Sequence, residues 1–65
     1  MIQVNGEKLS NYEQKTLQNL LTTLNYDPTK IAVERNGEII PKSQYDTTIL
    51  NENDVIEVVT FVGGG

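Results

Sequence analysis

The chain has 65 residues, with nine acidic against five basic side chains and a net charge of −4. A chain this short forms one domain around one core. Its negative charge opposes nucleic-acid binding, since affinity for a polyanion comes from neutralising phosphates. It has no Cys or His and a single Arg, Arg35, which excludes disulfides, a thiol nucleophile and a histidine base. We therefore expect a protein that is not itself an enzyme.

No stretch approaches the roughly 18 apolar residues that a membrane helix needs, and the N-terminus lacks the basic and apolar regions of a signal peptide. The expectation is a cytoplasmic protein without a membrane partner. The acidic residues around Asn51–Asp54 lack the glycine and terminal glutamate of a calcium loop, so we expect no metal and no bound cofactor.

Two Asn-Gly dipeptides predict two β-hairpins, because Asn-Gly supplies the positive φ angles of a type I′ turn. The first would pair residues 2–5 with 7–10, and the second would pair residues 31–36 with 38–40. Pro41 would end the second hairpin, since proline cannot donate to a strand ladder.

Between the hairpins, four leucines at positions 17, 20, 21 and 24 follow the i, i+3, i+4, i+7 spacing of a helix. Thr16 is the expected N-cap, while Asn25 and the Asp27-Pro28 pair should end the helix. The leucine stripe indicates a core-facing helix of two to three turns.

Residues 55–62 are rich in β-branched side chains and predict a final strand in the centre of the sheet. Before it, Tyr45, Ile49 and Leu50 are expected to pack under the sheet edge, and residues 51–54 to form a turn. The order hairpin, helix, hairpin, strand predicts an α+β fold of the β-grasp, ubiquitin-like kind. The final strand would run parallel to the first, in a single domain over residues 1–62.

The chain ends in three glycines, Gly63, Gly64 and Gly65, which we interpret as a flexible tail. One explanation is a frayed chain end. The other is functional, because residues without Cβ can enter a narrow slot and would present the carboxylate of Gly65 at their tip. A carboxylate is a poor electrophile at pH 7, so another protein would have to activate it with ATP. Sulfur carriage and protein tagging then both remain open.

Alternation along the last strand predicts two faces. If Glu57 faces water, Val55, Val59 and Phe61 share its side, whereas Ile56, Val58, Thr60 and Val62 face the helix. Val59 and Phe61 would then form an exposed apolar patch for partner binding directly before the tail.

The segments Ile2–Glu7, Val33–Pro41 and Asp54–Gly65 together resemble the ThiS family of thiamine-biosynthesis sulfur carriers. The resemblance implies that a ThiF-type, E1-like enzyme adenylates Gly65, that the terminus becomes a thiocarboxylate, and that a ThiG-type thiazole synthase takes the sulfur. The sulfur donor would be a cysteine desulfurase system. Gly64 and Gly65 would be the threading and reacting pair, with Gly63 where small residues are usual.

The sequence departs from the family pattern at two places. Asn53-Asp54 stands where Gly-Asp is frequent, which requires Asn53 to adopt the left-handed conformation, and Tyr45 stands where Trp is common. The alternatives are the small subunit of molybdopterin synthase, which often has prolines before its glycines, and a ubiquitin-like modifier.

Overall fold

A computed structural model describes residues 1–61 of the chain. Five short strands and one helix follow one another in the predicted order, with 3₁₀ turns at Pro28–Lys30 and Lys42–Gln44. The elements are β1 (Ile2–Val4), β2 (Glu7–Leu9), α1 (Leu17–Thr23), β3 (Ile31–Arg35), β4 (Glu38–Ile40) and β5 (Val55–Thr60).

The strands form one mixed sheet in the order β2-β1-β5-β3-β4. β1 and β5 are parallel. The other three pairings, β1 with β2, β3 with β4 and β3 with β5, are antiparallel. The last strand therefore lies at the centre, between the two hairpins, as predicted. One helix on a sheet of this topology is the β-grasp arrangement, which confirms the predicted fold class.

Both Asn-Gly pairs form two-residue turns. The φ angles are 50° at Asn5 and 84° at Gly6, and 53° at Asn36 and 86° at Gly37, the positive pair that a type I′ turn requires. The turns place Val4 opposite Glu7 and Arg35 opposite Glu38. Local sequence thus sets the register of both hairpins.

The helix begins at the predicted cap, where the Thr16 hydroxyl accepts a hydrogen bond of 3.0 Å from the backbone N–H of Asn19. It ends at Thr23, with Leu24 half-buried at its C-cap, and Asn25 follows with a φ of 65°. The helical leucines pack against residues of β1, β3 and β5 in one core. The buried core consists of Ile2, Val4, Leu17, Leu20, Leu21, Ile31, Val33, Tyr45, Leu50, Ile56 and Val58.

The segment between β4 and β5 corrects one prediction. Tyr45 and Leu50 belong to the core, but Ile49 is 43% exposed rather than packed under the sheet. It forms an isolated antiparallel bridge with Thr16, and strand alternation turns its side chain outward when Leu50 points inward. Asn53 has the predicted left-handed conformation, with a φ of 69°.

Some strands end earlier than predicted. β2 stops at Leu9 rather than Ser10, and β5 stops at Thr60 rather than Val62, where the neighbouring strands run out. Thr60 pairs with the buried Ile31, the first residue of β3, which places it on the same face of the sheet as Val58, but Thr60 itself is exposed. Val62 lies outside the described residues, so the domain limit predicted at residue 62 remains a prediction.

Candidate functional site

The candidate site is the C-terminal end of β5 together with the tail that follows it. The predicted reacting and threading residues, Gly63, Gly64 and Gly65, lie outside the described residues. The chain is held close to that point, because the backbone N–H of Phe61 donates a 2.7 Å hydrogen bond to the carbonyl of Lys30. This bond continues the β3–β5 ladder one residue beyond Thr60.

The two faces of β5 differ as alternation predicted. Ile56 and Val58 are buried, while Val59 is 58% and Phe61 is 54% exposed. Val55 and Glu57 are also exposed. The structure therefore places Val59 and Phe61 on the surface within six residues of the chain end, and their role in partner binding stays a prediction.

Strand register adds residues to this surface that the sequence analysis missed. Val59 lies opposite Ala32, and Glu57 lies opposite Glu34, which in turn lies opposite Ile39 on β4. Ile39 is 64% exposed. The signal for Ile39 was available, since a two-residue turn at Asn36-Gly37 fixes its register. The Glu34–Glu57 pairing joins strands far apart in sequence and had no local signal.

The side chain of Asn5 attaches the first hairpin turn to β5. Its Oδ1 accepts a 2.7 Å hydrogen bond from the backbone N–H of Val58, and its Nδ2 donates to the Val58 carbonyl at 3.2 Å. Nδ2 also lies 3.4 Å from the hydroxyl of Tyr26. The Asn5 amide thus makes the hydrogen bonds to the backbone of Val58 that a neighbouring strand would make, because β1 pairs with β5 only as far as Ile56.

The second turn holds the beginning of β5. The Asn36 side chain accepts from the N–H of Val55 at 2.9 Å and donates to the Asp54 carboxylate at 3.0 Å. Asp54 is only 6% exposed and also accepts from the N–H of Asn51 at 2.8 Å. Arg35 lies 3.7 Å from the same carboxylate and donates to the Ile49 carbonyl. Both Asn-Gly turns therefore bind β5 through their side chains.

Groups with displaced pKa values lie elsewhere. Hydrogen bonds to Glu52 and Glu13 raise the pKa of the Met1 ammonium, and the same ammonium lowers the pKa of Glu13. Hydrogen bonds from Thr29 lower the pKa of Asp27, and burial raises the pKa of Tyr45.

Within residues 1–61, no three His, Cys, Asp or Glu side chains cluster closely enough to hold a metal ion. In the same part of the chain, no helix has both the length and the apolar character to cross a membrane.

Comparison with known proteins agrees with this architecture. The sequence model of the ThiS family matches residues 1–65. A Bacillus subtilis protein named Sulfur carrier protein ThiS is 42% identical over the full length of both chains. A crystal structure of a thiamine biosynthesis protein (ThiS) from Geobacter metallireducens superposes with a TM-score of 0.79 at 30% identity, covering 98% of this chain and 97% of that one.

A longer relative also matches. A Paramagnetospirillum magneticum protein named Thiazole synthase is 45% identical over 95% of this chain, but the chain spans only 19% of that protein's length. A domain of this kind therefore also occurs within a much longer protein of that name.

A β-grasp domain whose central strand leads from an exposed apolar surface into a glycine tail defines the class of small ubiquitin-like carrier domains. The chain belongs to the ThiS family. The predicted membership of this family is therefore confirmed.

Proposed function

We propose that this chain carries sulfur as a thiocarboxylate on its last residue, Gly65, for assembly of the thiazole ring of thiamine. The observation that supports this most is the family match over the whole chain, tail included. The chain offers a carboxylate and a means of presenting it, and partner proteins perform the catalysis.

The proposed chemistry has three steps. A carboxylate oxygen of Gly65 attacks the α-phosphorus of ATP, and pyrophosphate leaves, which gives an acyl-adenylate. The terminal sulfur of a donor persulfide then attacks the activated carbonyl and AMP leaves, which gives an acyl disulfide. A second thiol reduces the S–S bond, so that the thiocarboxylate remains on Gly65 and the two thiols leave as a disulfide. ATP binds the partner, a ThiF-type E1-like enzyme, and this chain holds no cofactor of its own.

The remaining partners follow from the same chemistry. A ThiG-type thiazole synthase takes the sulfur, which agrees with the relatives of that name, and a cysteine desulfurase system supplies it. The family match favours thiamine synthesis over the molybdopterin alternative. Because activation consumes ATP, the proposal places the protein in the cytoplasm.

This chain's own residues present the terminus. The side chains of Asn5 and Asn36 fix β5 at Val58 and Val55, and the Phe61–Lys30 hydrogen bond holds its end. Three glycines span at most about 10 Å when extended, so the partner's active site must reach to within that distance of residue 62. Val59 and Phe61 offer apolar surface at that entrance.

Adding a single residue after Gly65 tests whether the activating enzyme recognises glycine at the terminal position. We expect a variant extended by one alanine after Gly65 to support no pyrophosphate release with the activating enzyme and ATP. Its melting temperature should match that of the unextended protein, because the added residue removes none of the contacts described for residues 1–61. Pyrophosphate release at the unextended rate would contradict the proposal.

The same assay with Gly63→Ala and Gly64→Ala tests threading. Gly64→Ala should slow release strongly, since a Cβ next to the reacting residue obstructs a narrow slot. Gly63→Ala is the matched control and should be tolerated better. A wild-type rate for Gly64→Ala would remove the threading role from Gly64.

A further inference from the structure

The exposed apolar surface extends beyond the end of β5. We call it the outer patch and define it as Ile39, Val59 and Phe61 together with the carboxylates of Glu34 and Glu57. Register places Ile39, Glu34 and Glu57 in one row across β4, β3 and β5. Ile39, Val59 and Phe61 are each more than half exposed.

The two carboxylates form an uncompensated pair. Glu34 and Glu57 are directly opposite on antiparallel strands, which brings their Cβ atoms to about 5 Å. Neither forms an ion pair within residues 1–61, and residues 62–65 contain no Lys or Arg. Lys8 shares this face through its pairing with Gln3, but it lies two strands away, about 10 Å from β5.

Like charges in direct cross-strand opposition destabilise a sheet. Here they lie between exposed apolar residues, where a partner that covers the patch would bury them. Such a partner surface must supply positive charge as well as apolar contact, because a buried carboxylate without a cation is costly. Arginine suits this position, since its planar fork can donate to two carboxylates.

We propose that the outer patch binds thiazole synthase, at an apolar surface from which one arginine or lysine reaches between Glu34 and Glu57. This inference rests on the proposed function. Thiazole synthase is the chosen partner because proteins of that name contain a matching domain over 95% and 98% of this chain. The stability lost to charge repulsion in the free protein would then be recovered on docking.

The test measures binding of the full chain to purified thiazole synthase by titration calorimetry at two salt concentrations. The variant Glu34→Gln with Glu57→Gln should raise Kd about tenfold and reduce its salt dependence. The same variant should melt about 2–5 °C higher than the wild type, because the repulsion is gone. A weaker but more stable protein cannot be explained by misfolding.

A matched control removes two charges elsewhere. Glu7 lies opposite the buried Val4, hence on the other face of the sheet, and Asp46 is exposed outside the strands. The variant Glu7→Gln with Asp46→Asn has the same net charge and should change Kd by less than about twofold. Ile39→Ser should also weaken binding, whereas Ile49→Ser should not.

Unchanged affinity of the Glu34/Glu57 variant would overturn the inference. The inference would also be overturned if the Glu7/Asp46 control lost as much affinity for thiazole synthase. It would likewise be overturned if the Glu34/Glu57 variant lost affinity for the activating enzyme but not for thiazole synthase. Failure of the proposed function would be seen differently. The wild-type chain would then gain no sulfur when it is incubated with ATP, the activating enzyme and a sulfur donor.

Discussion

The side-chain amide of Asn5 makes two hydrogen bonds to the backbone of Val58, one at 2.7 Å and one at 3.2 Å. The two residues are 53 positions apart, yet this contact places the first turn against the strand that leads to the tail. β1 itself pairs with β5 only through Gln3 and Val4. The amide therefore extends the support of β5 to a point three residues before Phe61.

Removing the Asn5 side chain should loosen this contact without disturbing the turn. Asn5→Gly keeps the positive φ and loses the hydrogen bonds, and we expect it to lower the free energy of unfolding by about 1–3 kcal/mol. Amide exchange at Val58 should accelerate. Denaturant unfolding and hydrogen exchange measure the two effects.

Asn25→Gly is the matched control, because Asn25 also has positive φ but its side chain makes none of the described hydrogen bonds. It should leave stability unchanged or raise it by up to about 1 kcal/mol. If Asn5→Gly and Asn25→Gly behave alike, the Asn5 amide contributes nothing beyond its backbone conformation.

The buried carboxylate of Asp54 should matter more than exposed acids. Asp54→Ala leaves the Asn36 amide and the Asn51 N–H without their acceptor, and we expect a loss of about 2–4 kcal/mol in unfolding free energy. Asp46→Ala, at an exposed position, should cost less than about 0.5 kcal/mol. Urea unfolding compares them, and equal midpoints would show that the Asp54 network is dispensable.

Phe61→Ala should impair activation rather than folding. The ring is more than half exposed, so we expect a stability change below about 0.5 kcal/mol. Because the activating enzyme would lose an apolar contact, kcat/KM for ATP-dependent activation should fall about tenfold or more. Ile49→Ala removes a comparably exposed side chain elsewhere and should leave kcat/KM unchanged. An unaltered kcat/KM for Phe61→Ala would exclude this residue from the docking contact.

The hydrogen bonds to Asp27 should make the stability of the protein depend on pH. The Thr29 hydroxyl and backbone N–H donate to its carboxylate and lower its pKa below the usual value near ~4. A lowered folded-state pKa gives stability that is present above the unfolded pKa and is lost as pH falls through the folded one. The melting temperature of Asp27→Asn should lie below wild type at pH 6 and converge with it as the pH falls below the lowered pKa of Asp27. A constant difference across this range would contradict the assignment.

Much of the fold was predictable because its signals are local. The Asn-Gly pairs determine two turns and their registers, the leucine spacing defines α1, and β-branched residues mark β5. Strand alternation also predicted the exposure of Val59 and Phe61. Ile39 could have been included by the same logic.

Other features depend on contacts between distant segments. The opposition of Glu34 and Glu57 and the bonds of Asn5 to Val58 follow from which strands become neighbours and in what register. The exposure of Ile49 follows from its bridge to Thr16, which no local pattern indicates. β5 ends at Thr60 because its antiparallel partner β3 begins at Ile31, directly opposite.

The most direct test of the central claim is the intact mass of the wild-type chain after incubation with ATP, a ThiF-type activating enzyme and a sulfur donor. The account predicts replacement of one oxygen by sulfur, located to Gly65 by fragmentation and absent when ATP is omitted. An unmodified terminus, or a ladder of heavier conjugates on lysines of other proteins, would contradict it.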